Sequence, residues 1–117
     1  MPARGANWEA RRRVIVDTSA RVFAQGGYHG TGIAELCEVN ELGKGALYHY
    51  IGSKEELLGA ITDRVMDEVL AGVDRVAASG GPAIERLTRL GAEYLGIVVR
   101  LPDHVWVLLH EFPALTG

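Results

Sequence analysis

At 117 residues and 12.6 kDa the chain is long enough for one compact core, or for a small head sharing a core with further helices, and too short for two full-sized independent domains. Hydrophobic residues make up 48% and charged residues 23%, a globular composition that argues against disorder, and no apolar run approaches the roughly 20 residues that cross a bilayer. The net charge of -3 hides an asymmetry: residues 1–54 carry seven Lys/Arg against five acids and the remainder five against ten, as suits a protein that meets a polyanion with one end only.

Arg4, Arg11, Arg12 and Arg13 are not followed by an apolar signal core, so the cytoplasm is the expected location. The single cysteine, Cys37, has no partner for an internal disulfide and sits among apolar helical positions, where a small buried residue is expected in preference to a reactive thiol.

A first helix is expected from about Trp8 to Gln25, because Ile15, Val16, Ser19, Val22 and Phe23 form one stripe of a 3.6-residue period. Gly26-Gly27 ends it, and Tyr28-His29-Gly30 continues as a loop. Thr31 is placed to cap a short second helix, about Gly32 to Asn40, with Ile33, Leu36 and Cys37 inward. A third short helix, about Lys44 to Tyr50, follows after three or four residues, and so tight a connection makes the two helices cross steeply. This is helix-turn-helix spacing.

The fourth helix has the clearest start: Ser53 and Glu56 form a capping box, and Leu57, Leu58, Ile61, Val65, Val69, Leu70, Val73 and Val76 carry an apolar face to about Ala78. Gly80-Gly81 breaks it. Pro82 opens a fifth helix with Ile84, Leu87, Leu90, Tyr94, Leu95 and Val98 on its inner side, and Pro102 a sixth. The sixth, through Val105-Trp106-Val107-Leu108-Leu109, is apolar on every face and should be buried on several sides or await a partner. The fold class is therefore all-α.

The segment Gly27 to Lys54 concentrates groups that suit DNA. The start of the third helix, Lys44-Gly45-Ala46, is slim enough to enter a major groove: Ala46 offers a methyl for thymine, and Lys44 reaches guanine or phosphate. Tyr48, His49 and Lys54 supply donors for phosphates, which set register without reading sequence. Leu47 and Ile51, four apart, should face inward against Phe23 and Leu36.

The runs GYHGTGIAEL and GKGALYHYIGSKEELL resemble the DNA-binding head of the TetR family of repressors. The resemblance is strong over residues 8 to about 80 and looser at the HEFPALTG ending. It implies a helix-turn-helix domain at 1–51 and a partial helical ligand-binding and dimerisation domain at 52–117. It further implies phosphate contacts from Thr31 and Tyr48, base contacts from Lys44, Gly45 and Ala46, His49 and Tyr50 along the groove wall, and Lys54 on a phosphate. A double-stranded operator, a homodimer and a small apolar effector are the implied partners, with no cofactor, metal or membrane. Tyr94, Trp106, Leu109 and His110 are the candidate effector contacts, although apolar helix faces are more often core. The resemblance also implies a longer protein whose later helices build the dimer, so that the 117 residues would be a portion leaving Trp106, Leu108, Leu109 and Phe112 uncovered.

Three positions depart from the family pattern: Glu41 stands where glycine is usual in the turn, Gly43 where a hydroxyl caps the recognition helix, and Gly32 where a polar residue is usual. Glu41 is expected to repel DNA. Losing the cap at Gly43 should cost a few tenths of a kcal/mol. No nucleophile with a base, ligand-spaced Cys/His cluster or phosphate loop points to an enzyme, and His104 and His110, six apart, fall on different helix faces. The alternative is a helical protein-interaction module without specific DNA binding.

Overall fold

The computed structural model describes the backbone of residues 2–116 and the side chains of residues 5–111. Six helices follow in chain order: α1 Pro2–Gly26, α2 Ile33–Asn40, α3 Lys44–Ile51, α4 Lys54–Ser79, α5 Ala83–Arg100 and α6 Pro102–Thr116. Among the described residues there is no strand, and no helix is long and apolar enough to cross a membrane.

Local chemistry accounts for most of the boundaries. Gly27 takes a φ of 82°, the left-handed angle that lets α1 stop, and its N–H closes on the Phe23 carbonyl at 2.8 Å. Ser53 caps α4, accepting from the Glu56 N–H at 3.0 Å. Two expectations are corrected. α1 starts six residues before Trp8, at Pro2, whose fixed φ suits a first helical position. Thr31 does not cap α2: Gly32 is the N-cap and offers no side chain, while the Thr31 hydroxyl donates to the Gly27 carbonyl at 2.7 Å.

The core is a single cluster that joins Ile15, Val16, Ala20 and Phe23 of α1 to Leu36, Leu47 and Ile51 of the helix-turn-helix. Tyr28 of the loop before α2, Leu57, Leu58 and Ile61 of α4, and Val107 of α6 complete it. Ile33 and Cys37 pack against it from its margin. Of the stripe expected on α1, Ile15, Val16, Ser19 and Phe23 are buried while Val22 is only half-covered and outside the cluster; the inward set on α2 is present, and Leu47 and Ile51 share the cluster with Phe23 and Leu36.

The far end of the body differs from expectation. On α5 only Ile97 is buried, and Ile84, Leu87, Tyr94 and Leu95, expected inside, are more than half exposed. The helix packs on α4 and α6 by one edge, so the larger part of its apolar face meets no helix of the described chain. Among its described side chains α6 is likewise buried along one line only, His104 and Val107, which continues from Leu101 at the end of α5, with Trp106 and Leu109 outward. Phe112 lies outside the described side chains.

Candidate nucleic-acid interface

Residues 41–43 join α2 to α3. Glu41 ends α2 in a left-handed conformation, φ 54° and ψ 44°, with its N–H turned back to the Cys37 and Glu38 carbonyls. It is the only residue other than glycine with positive φ among those described. Gly43, extended at φ -73° and ψ 164°, then starts α3 without a side-chain cap.

The two sides of α3 divide cleanly. Leu47 and Ile51 are sealed in the core, while Lys44, Gly45, Ala46 and His49 are exposed and Tyr48 is half-buried. Nothing lies within 4 Å of where a Cβ at Gly45 would stand, so the start of the helix is bare backbone and a methyl group beside Lys44. Lys54, the first residue of α4, holds its ammonium 4.4 Å from the centre of the Tyr28 ring, a cation–π contact at the loop that precedes α2. Burial, with Glu55 and Glu111 nearby, pushes the Tyr28 phenol above its ordinary pKa.

Two sequence-derived site residues are placed otherwise than expected. Thr31 is 1% exposed, its hydroxyl hydrogen committed to Gly27 and its N–H to the Tyr28 carbonyl, so it presents no free donor for phosphate. Tyr50 is not a free groove-wall side chain: it packs against the core margin, and its ring stacks on Trp8 of α1 at 5.8 Å between centroids and 25° between planes. The Trp8 ring also meets His49 edge-on at 6.4 Å, and Arg12 Nε donates to the Tyr50 carbonyl at 3.1 Å. Trp8 and Arg12 are four apart on one face of α1, a helical pair visible in the sequence, but nothing there announces the target 38 residues beyond Arg12.

Also unread in the sequence is Asp17, which ties three helices together. Its carboxylate accepts from Arg64 Nε of α4 at 2.8 Å and from His104 Nε2 of α6 at 2.8 Å. Burial alone would raise its pKa, but the hydrogen bonds and charge of Arg64 and His104 outweigh it and hold the carboxyl below its usual range. His104 is 5% exposed and its Nδ1 has no partner among the described residues, whereas exposed His110 stacks on Trp106 at 3.8 Å. A second polar tie reaches the head from α6, the Tyr28 N–H donating to Glu111 Oε1 at 3.2 Å.

The four candidate effector contacts do not converge. Tyr94 lines an open apolar groove of about 560 Å³ between α4 and α5, with Val69, Val73, Leu87, Leu90 and Ile97. Trp106, Leu109 and His110 stand on α6 outside that groove, exposed.

A helix-turn-helix on a three-helix head, backed by a longer helical body, defines a helix-turn-helix regulator as the class of protein. The profile described as bacterial regulatory proteins, tetR family, matches residues 15–61, which covers the turn, α3 and the start of α4. The head of the chain is that of a TetR-family transcriptional regulator. Among curated relatives, it is 29% identical to the transcriptional repressor KstR2 of Rhodococcus jostii, over 60% of this chain and 34% of that protein. Among solved structures, it resembles the TetR-family regulator PfmR of Thermus thermophilus with a TM-score of 0.81 and 26% identity, over 86% of this chain and 55% of the other. It resembles AibR in complex with isovaleryl coenzyme A and operator DNA with a TM-score of 0.78 and 35% identity, over 92% and 58%. The chain thus spans a little over half the length of these solved relatives, and about a third of KstR2.

Proposed function

We propose that this regulator is a repressor that binds a palindromic operator in the cytoplasm as a homodimer, reading the major groove with α3, and that a small apolar effector releases it. The observation that carries the reading is the division of α3, with Leu47 and Ile51 sealed in the core and Lys44, Gly45 and Ala46 bare at its N-terminal end. Those three take the base edges, while Tyr48, His49 and Lys54 hold phosphates on either side. Lys54 also begins α4, where unpaired helix N–H groups favour an anion. A dimer follows from the geometry of such readers, which place two heads about one DNA turn, roughly 34 Å, apart.

The effector reading is supported by the apolar groove beside Tyr94 and by AibR, whose structure holds both an acyl coenzyme A and operator DNA. Selection of bound duplexes from a random-sequence pool tests the operator, which should emerge as an inverted repeat. Binding that falls steeply with salt yet enriches no sequence would overturn it. Acyl chains of graded length, added to the preformed complex, test the release step.

A further inference from the structure

The residue that the sequence leaves without a role is Trp8. It lies outside the buried core, only half-covered, yet its indole is engaged from three directions by groups that bear on α3. The ring stacks on Tyr50, meets His49 edge-on at 86°, and has the Arg12 guanidinium 5.9 Å from its centre. His49 and Tyr50 are themselves in edge contact at 5.4 Å, so the three rings form one set. Arg12 completes the attachment by donating to the Tyr50 carbonyl near the end of α3.

The mechanical consequence follows from how α3 is otherwise held. Leu47 and Ile51 anchor it along one line, and a helix fixed along a single line retains freedom to roll about it. At the roughly 5–6 Å radius of a helix with its side chains, a roll of about 10° moves a side-chain tip by about 1 Å. That is enough to spoil the hydrogen-bond geometry of a base contact, while a phosphate contact, made by a flexible donor to an oxygen of no particular identity, tolerates it. Stacked and edge-on rings at these spacings are in their preferred arrangements and resist such a roll.

We propose that Trp8 is a positioning residue for sequence readout: by stacking on Tyr50 and abutting His49 it sets the roll of α3, and with it the aim of Lys44 and Ala46. This rests on the reading that α3 enters the major groove. Trp8 acts through α3, so it governs discrimination between sequences and leaves the general grip on DNA unchanged.

The test uses the full chain, a duplex selected from random sequence by the unaltered protein, and a mixed-sequence duplex at the same salt. Trp8→Ala should lose about tenfold or more on the selected duplex and stay within about twofold on the mixed one, with an unchanged salt slope, a contact's worth of discrimination. Trp8→Phe, which keeps a ring to stack, should stay within about threefold on both, whereas Trp8→Leu, apolar but without a ring, should follow alanine. If alanine does not fold, the Phe and Leu pair decides alone. Equal losses on both duplexes, no loss on either, or leucine as good as phenylalanine would overturn the proposal. Failure of the unaltered protein to enrich any sequence is a different result, which brings down the DNA-reading function and this inference with it.

Discussion

Glu41 carries two separable liabilities, and substituting it distinguishes them. Its φ of 54° puts a side chain with a Cβ in the left-handed region, and its carboxylate sits exposed in the turn before α3, with no ion pair among the described residues. The left-handed conformation costs about 1–2 kcal/mol for an L-residue, and a glycine gives back about 0.5–1 kcal/mol through its freer unfolded state. Glu41→Gly should therefore stabilise the fold by roughly 0.5–1 kcal/mol, a rise in Tm of about 2–5 °C for a chain of this size. The charge acts independently. A unit charge about 10 Å from a phosphate contributes roughly 0.4 kcal/mol in water before screening, so removing it should tighten DNA binding by up to about twofold at low salt and less at high salt. Glu41→Ala removes the charge and keeps the strained angle, so it should tighten DNA binding as glycine does without raising Tm. Thermal melting and fluorescence anisotropy on the two variants decide. A Tm for glycine at or below that of the unaltered protein would refute the strain argument, and unchanged or weaker DNA binding by both variants would show that the carboxylate is directed away from the phosphates.

The remaining predictions concern the grip, the readout and the Asp17 junction. Lys54→Ala should weaken binding to all duplexes alike and lower the salt slope by about one, whereas Ala46→Gln should change the preferred operator; isotherms across a duplex panel at several salt concentrations separate the two. Asp17→Asn should cost about 1–2 kcal/mol by urea unfolding, toward the lower figure because the carboxylate is more than a third exposed. Asp17 has a depressed pKa, so its contribution is fully present above the unfolded carboxylate value of about 4 and is lost as pH falls through the lower folded value. The unaltered protein should accordingly lose stability below about pH 4, and the Asn variant should show a shallower decline.

What the sequence made legible was what is local or periodic. The stripe on α1, the Ser53 cap, the glycine stop after Phe23 and the inward pair Leu47 and Ile51 each follow from residues within a turn or two of one another. Thr31 shows the limit even there: a hydroxyl before a helix is read as a cap, but the tight turn from Gly27 brought a carbonyl within 2.7 Å and took it. The apolar periodicity of α5 was read as an inner face of Ile84, Leu87, Leu90, Tyr94, Leu95 and Val98, but in the described chain the only buried position is Ile97, outside that set, because a periodic apolar face does not say what covers it. Trp8 against Tyr50 and Asp17 against His104, 87 residues apart, were out of reach, because side-chain partners across helices leave no spacing rule in one sequence.

The division at residue 51 shows most directly how a motif boundary differs from a boundary in packing. By motif the head ends with α3, but the cluster that buries Phe23, Leu36 and Leu47 continues without interruption into Leu57, Leu58 and Ile61 of α4 and closes on Val107 of α6. Polar ties follow the same route, Asp17 to Arg64 and His104, and Tyr28 to Glu111. Packed side chains are not continuously deformable, so a displacement of α6 along its axis would have to be met by α1 and by the loop that carries Tyr28. That loop lies under the Lys54 ammonium, and α1 supports α3 through Trp8 and Arg12. Helix α6 thus reaches the recognition helix indirectly, through α1 with Trp8 and Arg12, and reaches Lys54 at the start of α4 through the Tyr28 loop.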